Sequence, residues 1–522
     1  MYIYYMKYIQ GQNREQQNIF PISLDASISQ DNEVRIIDAF VSSLPLKEYG
    51  FRLDYGENGR PAYHPSDLLK LYLYGYLNRI RSSRYLEKEC KRNIELMWLM
   101  KGLKPDHNTI SNFRKDNNES IRNVFRATVK VGKLFKLIGG TLLAGDSTKM
   151  RAQNSKKNNF NEKKIKQHLD YIDRKLTEYS NILASEDGDK ENAQKEIDKH
   201  QKRREKYEKL EQQLRESGQT QISTSDPDSR QLMTRNNITE VGYSTQTTVD
   251  ADNCLPIDYN VTNENDSKAM GYMVTRAADI VENSTFTALF DKGYHTGSEL
   301  KTAQQMGVET IVAVPDLPAS SHAPSPEYNL CNFRFDPASY TYTCPQGHKL
   351  TSNGNWYNKH NNKTIIKVQQ FKTSECKTCP FISKCTSSAR GRGRVIERSE
   401  YSPYLEANKR NVEEKQHLYK RRQAIVEHPY GTIKRQWGFN YITTKRGIER
   451  ASADVGLMFT AYNLRRLINL IGFDRFRDFL SHILRHFSLL GVLLLRFARI
   501  LFCANGSFAI SGNSPKNKNN SP

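Results

Sequence analysis

Apolar residues follow two periodicities along this chain, and one long stretch obeys neither. Between Tyr63 and Lys115 they recur at helical spacing. Asp67–Leu77 carries Leu68, Leu69, Leu71, Tyr72 and Leu73, with Ser66 in the N-cap position. Arg84–Lys91 and Asn93–Met100 follow as shorter helices. Asp106 caps His107–Lys115, whose Ile110 and Phe113 face inward. The other face of that helix shows Asn108, Ser111, Asn112, Arg114 and Lys115. Upstream, Asn32–Phe40 reads as a short capped helix. Short helices ending in a polar, basic one fit a helix-turn-helix that reads the major groove; they also fit a small bundle with a solvated face.

A second pattern begins at Thr141. Thr141–Ala144 and Phe286–Phe290 are short uncharged runs of the kind buried on both faces of a sheet. Each stops at an aspartate beside a glycine, at Gly145-Asp146 and at Asp291-Lys292-Gly293. A carboxylate at the end of a buried strand is held rigidly, although turn aspartates are common there too. Lys149, Arg151, Asn154, Ser155 and Lys156 follow Asp146, a setting that suits a metal ion bridging to phosphate. From Asn161 to Ser217 apolar residues recur three and four apart, broken by Glu186-Asp187-Gly188-Asp189. This predicts a charged antiparallel helical hairpin with no catalytic part. In Ser225–Arg230, Asp226 and Asp228 read as turn formers, with Asp228 or Arg230 lining the site as the alternative. Paired strands are expected at Gly242–Val249 and Leu255–Val261, a helix from Asp266 to about Val281, a helix at Ser298–Met306 and a strand at Glu309–Val314.

The stretch that obeys neither pattern runs from Pro315 to about Arg394 and is rich in Pro, Ser, Asn and Cys. It holds Cys344 in a CPQGH turn, then Cys376, Cys379 and Cys385. These ligand types and spacings fit a structural zinc knuckle, with His348 as a replacement for one thiol; scattered free thiols are the alternative. Beyond it, Tyr401–Val426 reads as a basic helix leading to Glu427, and Pro429 should kink or break it just past that residue. Ala453–Ile471 is amphipathic, with Asn463, Arg465 and Arg466 expected outside.

Strand, insertion, strand, strand, helix, strand, helix, strand, insertion, helix is the order of a ribonuclease H-like α/β fold. Residues 1–130 then form an all-helical DNA-binding domain, and 140–471 a mixed-sheet catalytic domain. The latter carries a helical-hairpin insertion at 158–217 and a Cys-rich one at 315–395. Residues 472–522 form a partly disordered tail. In this layout the first and fourth strands are neighbours, so Asp146 and Asp291 come close while a late helix brings Glu427 across them. Three such carboxylates suit a two-metal phosphoryl-transfer site.

Charge sharpens the picture. A net charge of +21 over 522 residues favours a polyanionic partner. Eight cysteines in so long a chain do not suggest a disulfide scaffold, and their clustering points to metal in a reducing compartment. The apolar run Phe487–Phe502 is short and interrupted by Arg496 and Arg499, so no membrane span is expected. The start lacks a signal-peptide core, and Met6 is a candidate initiator. A cytoplasmic protein is expected.

Long stretches of the chain resemble the bacterial insertion-sequence transposases of the DDE type. They include MKYIQGQNREQ, YHPSDLLKLYLYGYLNRIRSSRYLE, PDHNTISNFRKDN, LLAGDSTKMRAQNS, STSDPDSRQLM, GYSTQTTVDADN, FDKGYHTGSEL, YTCPQGHKL, CKTCP and VEHPYGTIKRQWGF. The resemblance spans roughly residues 6 to 471. It implies cleavage at the ends of a mobile element and joining of 3′ ends to a target. It further implies Asp146, Asp291 and Glu427 as a catalytic triad holding Mg2+ or Mn2+. Double-stranded DNA is the implied partner, the protein acting as a homodimer in the nucleoid. Lys149, Arg151, Lys434 and Arg435 are expected to hold the DNA backbone. In related enzymes Tyr and Arg precede the glutamate by seven and four positions; here Tyr419 and Arg422 sit one residue farther away, while Lys434 keeps its place. A DNA-binding protein derived from an inactive transposase, and a nuclease of the same fold without strand transfer, are the rival readings.

Overall fold

The computed structural model describes residues 23–53, 61–185, 189–233, 238–316, 322–361, 364–387 and 393–485. The expectations for the N-terminal stretch 6–16, for Met6 as initiator, for Phe487–Phe502 and for the end of the tail fall outside them. Two compact units result: the chain up to Val124 together with the stretch from Leu464 on, and Phe125–Asn463.

The first unit is helical. It contains α1 (Glu33–Ser42), α2 (Pro65–Leu77), α3 (Ser83–Glu89), α4 (Ile94–Leu99), α5 (His107–Asp116) and the start of α6 (Asn118–Leu134). Asn32 and Asp106 cap their helices as the sequence suggests, and Asn93 caps α4. On α2 the cap is His64 rather than Ser66. Pro65 takes the first turn, where a missing N–H costs nothing, and the His64 ring accepts the Ser66 N–H at 3.2 Å. A second difference lies on α5. Arg114 is buried, not on the outer face. Its guanidinium lies 5.2 Å from the Tyr72 ring and donates to the Tyr76 hydroxyl at 2.9 Å. Spacing accounts for this: Ile110, Phe113 and Arg114 stand at i, i+3 and i+4 and share one helix face.

The second unit is built on β1 (Leu142–Arg151), β4 (Arg230–Met233), β5 (Thr239–Asp250), β6 (Pro256–Thr262), β7 (Thr287–Phe290) and β8 (Glu309–Val312). A short ladder of β2 (Asn159–Phe160) with β3 (Ile222–Ser223) closes the base of a hairpin, α7 (Glu162–Ala184) and α8 (Lys190–Ser217). Across the main sheet the order is β6, β5, β1, β7, β8, and β4 shares the outer edge of β5 with β6. The β6–β5–β1 pairings are antiparallel; β1–β7 and β7–β8 are parallel. Between the strands lie α9 (Met270–Val281) and α10 (Gly297–Gln305); later come α12 (Ser402–Glu414), α13 (Gln416–Tyr430) and α14 (Ile448–Ile471), which continues into the first unit. Helix α9 packs on β5 and β6, α12 on β8, and α13 across β5, β1 and β7. A core of Ala144, Val249, Leu289, Ile311, Ile425 and Val426 joins sheet to helix. Strand β5 is buried on both faces although Ser244 to Thr248 are all polar.

Four further expectations change. Strand β1 does not stop at Asp146 but runs on to Arg151, because β5 pairs with it residue by residue from Leu143 to Arg151. The helix before Glu427 is two helices, broken at Lys415, and it does not end at Pro429. It continues to Tyr430 and widens into a π-helix over Gly431–Gln436, which accommodates a residue lacking an N–H. Asn463 is buried, donating to the Thr128 hydroxyl and the Pro256 carbonyl at 2.9 and 3.0 Å. Finally, the Cys-rich insertion contains a sheet of its own. It runs β12 (Tyr357–Asn361), β13 (Thr364–Lys372), β11 (Lys349–Ser352), β10 (Thr341–Thr343) and β9 (Arg334–Asp336), with β14 (Ile396–Ser399) also on β13. A one-turn helix, α11 (Ile382–Cys385), lies beside it. Among the described residues no helix is long and apolar enough to cross a membrane.

Candidate active site

The ladder between β1 and β7 pairs Leu142 with Thr287, Leu143 with Ala288 and Ala144 with Leu289. Two residues farther along stand Asp146, within β1, and Asp291, just past the end of β7, so the parallel register carries the two carboxylates toward each other. Gly145 makes the approach possible. A Cβ there would lie 2.0 Å from the Phe290 ring, so no other residue fits without moving it. Asp291 follows the last residue of β7 and caps a short turn over Lys292–Tyr294, accepting the Gly293 N–H.

Helix α13 crosses above. Arg422, Val426 and Tyr430 project toward β1: Arg422 pairs with Asp146 at 3.3 Å, and the Tyr430 hydroxyl donates to the Asp146 carbonyl at 3.0 Å. Glu427 lies one residue, about 100°, round the helix from Val426. It is exposed and accepts from the Gln423 amide at 3.1 Å. The helix thus carries Glu427 on the flank of the face that meets Asp146. Among the described residues no three His, Cys, Asp or Glu side chains stand in a finished ligand arrangement.

Burial pushes the Asp146 carboxyl above its ordinary value, with Arg422 opposing and Asp291 adding to the shift. Arg422 stays above its usual value: burial works against its charge, but Asp146, Tyr419 and Asp291 outweigh that. The phenols of Tyr294 and Tyr430 are pushed well up, first by burial and then by Asp146 and Asp266, so both remain neutral at any ordinary pH.

The four cations expected on DNA divide. Arg151 and Arg435 are exposed, Arg151 facing Glu240 at 3.7 Å. Lys434 is half-buried and donates to the Thr148 hydroxyl and the Lys149 carbonyl at 2.9 and 3.0 Å. Lys149 turns inward, donating to Ser147, Ser244 and Asp266. That ammonium has its partners inside the fold. Asp266 is the residue the sequence reading missed at this site, because in NENDSK it looks like any residue opening a helix. Asp226 and Asp228 are structural: they accept the Gly447 and Ile448 N–H groups and so cap α14. In the first unit Asn108 and Asn112 are exposed, Ser111 and Lys115 partly so, and Arg114 is internal.

In the insertion, Cys344, Cys376, Cys379 and Cys385 line one cavity of about 30 Å³ together with His348. The CPQGH turn is closed by hydrogen bonds of 2.9 and 2.8 Å between Cys344 and residues His348 and Gly347, with Gly347 at φ +85°. Burial pushes the Cys385 thiol up; Arg394 opposes, and the other three sulfurs add to the shift. A bound cation would reverse that balance.

Residues 22–116 match the model of a family described as Transposase domain (DUF772), and residues 343–468, which include Glu427, match that of the Transposase DDE domain. No curated protein matches the chain. Among solved structures it is similar to the piggyBac transposase in a cryo-EM synaptic complex with hairpin DNA. The identity is 10%, over 87% of this chain and 83% of that one; at a TM-score of 0.22 the superposition says nothing of the fold. A DDE domain implies dependence on divalent metal, and transposase families bind DNA. With a transposase-domain match on the helical part and a DDE-domain match on the stretch that carries Glu427, the chain is a DNA transposase.

Proposed function

We propose that this enzyme cleaves DNA at the ends of a bacterial insertion sequence and joins the freed 3′ ends to target DNA. Asp146, Asp291 and Glu427 are its acid residues. The observation that carries the reading is the parallel register of β1 and β7, which sets Asp146 beside Asp291 beneath α13. The strand order β6–β5–β1–β7–β8 supports a ribonuclease H-like core. Hard carboxylate oxygens fit Mg2+ or Mn2+. Bound there, such ions supply an activated oxygen nucleophile and charge stabilisation for the leaving oxygen. The chain's own part is to set Asp146 and Asp291 at a fixed spacing. Glu427 reaches in from the helix flank, and Arg422 lies ready to meet a phosphate once Asp146 no longer needs it. Arg151 and Arg435 hold the backbone, with Lys434 beside them.

Residues 1–130 bind the element ends, Asn108, Ser111, Asn112 and Lys115 being the contacts offered by α5. The core is residues 140–471, carrying insertions 158–217 and 315–395. Cys344, Cys376, Cys379 and Cys385 hold structural Zn2+, as their shared cavity supports. The enzyme works as a homodimer on DNA in the cytoplasm, associated with the nucleoid.

One assay tests this reading. A pre-cleaved 3′ end is supplied with target DNA and Mn2+, and joined product is measured. Joining that requires Asp146 is expected. Cleavage without joining would leave a nuclease, and binding without either would leave a DNA-binding relic.

A further inference from the structure

The β1–β7 ladder ends at Ala144 and Leu289, two residues before the carboxylates it serves. Beyond that point no main-chain pairing between these strands holds the turn that carries Asp291 against the strand that carries Asp146. Something else must fix their spacing, since a site for two ions tolerates little drift in its ligands.

Asp266 stands where such a tie is needed. It opens a single 3-10 turn, Asp266–Lys268, that packs against the turn Lys292–Tyr294 headed by Asp291. The place a Cβ on Gly293 would take lies 3.4 Å from Asp291 Oδ1 and 4.0 Å from Asp266 Oδ2. On its other side Asp266 accepts the Ser147 hydroxyl at 2.8 Å, the Lys149 ammonium at 3.3 and 3.4 Å, and the Ser244 hydroxyl at 3.5 Å. Ser147 and Lys149 belong to β1, and Ser244 to β5. Lys149 also donates to Ser147 and Ser244 at 3.0 and 2.8 Å, so the cluster is closed by the ammonium. Asp266 and Lys149 are each only 23% exposed, so their attraction is less screened than that of a surface pair.

We propose that Asp266 is a positioning residue of the active site. It ties the Asp291 turn to the Asp146 segment of β1 and sets the distance between the two metal-binding carboxylates. Lys149 is the counter-charge that holds it in place. Asp266 touches neither ion nor DNA; it acts through Ser147, Lys149 and the packed turns. This rests on the reading of Asp146 and Asp291 as metal ligands.

The test uses the full-length protein and Mn2+ alone as probe. Mn2+ affinity is read by calorimetry and by metal-induced thermal shift, next to the melting temperature in metal-free buffer. Asp146→Asn serves as the control. In the wild type, Mn2+ binding that Asp146→Asn removes is expected. Asp266→Ala should weaken it at least about tenfold, which corresponds to about 1.4 kcal/mol. Asp266→Asn, which keeps hydrogen bonding to Ser147 and Ser244 but loses the Lys149 pair, should fall between. Ser147→Ala should weaken binding less than Asp266→Ala. Should Asp266→Ala fail to fold, Asp266→Asn and Ser147→Ala carry the test. A lower melting temperature in these variants with Mn2+ affinity unchanged within twofold would make Asp266 a purely structural residue and overturn the proposal. No Asp146-dependent Mn2+ binding in the wild type would instead overturn the metal-site reading on which it stands.

Discussion

The two sheets of the second unit hold their candidate functional side chains by opposite means. In the main sheet, strand pairing carries Asp146 and Asp291 to one place: β1 is paired with β5 along nearly its whole length and with β7 up to the residues before the site, where the Asp266 cluster takes over. Helices cover that sheet, and even its polar strand β5 is buried. The insertion sheet has strands of three to nine residues around five buried side chains, Phe333, Tyr342, Leu350, Phe371 and Ile396. Cys344 and Cys385 pack against that small cluster. A core of this size offers little burial energy. The first sheet is expected to keep its carboxylates in place by strand pairing and burial, with or without ions; the second is expected to need its ion in order to persist.

The sharpest way to break this contrast is to remove ligands from each side. Asp146→Asn, Asp291→Asn and Glu427→Gln should each lower strand cleavage by about a thousandfold or more, as loss of transition-state charge stabilisation does. Melting temperature and binding to element ends should stay close to wild type. Cys379→Ser, or chelation of zinc, should do the reverse. The insertion should lose on the order of several kcal/mol, since structural zinc contributes roughly 10 kcal/mol or more to small metal-built folds. Mn2+ binding at the carboxylates should change little. One zinc per chain by metal analysis is expected; four freely titrating thiols in the native, metal-replete protein would dissolve the contrast.

Smaller changes sharpen it. Gly145→Ala forces a Cβ to within 2.0 Å of the Phe290 ring. It should cost about 1–3 kcal/mol in chemical denaturation and impair cleavage as well, because the strain falls between the two aspartates. Tyr430→Phe removes the hydroxyl bound to the Asp146 carbonyl and should cost about 1 kcal/mol. The smallest effect is with pH. Asp146 has its folded pKa raised, so in metal-free buffer its contribution to stability is present below its unfolded value of about 4 and is lost as pH rises through the folded one. The melting temperature of Asp146→Asn relative to wild type should therefore climb over that interval, and Mn2+ should close the gap.

Much of the main sheet could be read from the sequence, because buried strands write their burial as uncharged runs ending in Asp and Gly. The α7–α8 hairpin was equally plain, its apolar residues falling three and four apart. Other features left weaker marks. Most insertion strands are three to five residues long, too short for a period of two to register, and the nine-residue β13 (TIIKVQQFK) does not alternate, so Pro315–Arg394 showed only its cysteines. Arg114 misled because its charge outweighed its place one turn after Ile110. Asn463 misled in the same way, although from Ala451 to Leu464 the only charged residue is Asp454, which is the mark of a helix buried all round. Asp266 left no mark, since what distinguishes it is the company of Ser147, Lys149 and Ser244, brought in from distant strands. Tyr419 and Arg422 stand one residue out of the related enzymes' spacing, and the fold still turns Arg422 onto Asp146.

The early end of β7 has a consequence outside catalysis. From Asp146 to Met150, β1 has a neighbour on the β5 side only, until Arg151 meets Asn440 and Ile442 on the other. Such a gap is an invitation for a strand from another molecule to add on. Here it is covered: Lys434 takes the outward-facing carbonyl of Lys149, and α13 lies over the strand. A polypeptide terminated by a premature stop before Gln416 would leave that edge bare. Such a fragment should self-associate and fall out of solution on expression.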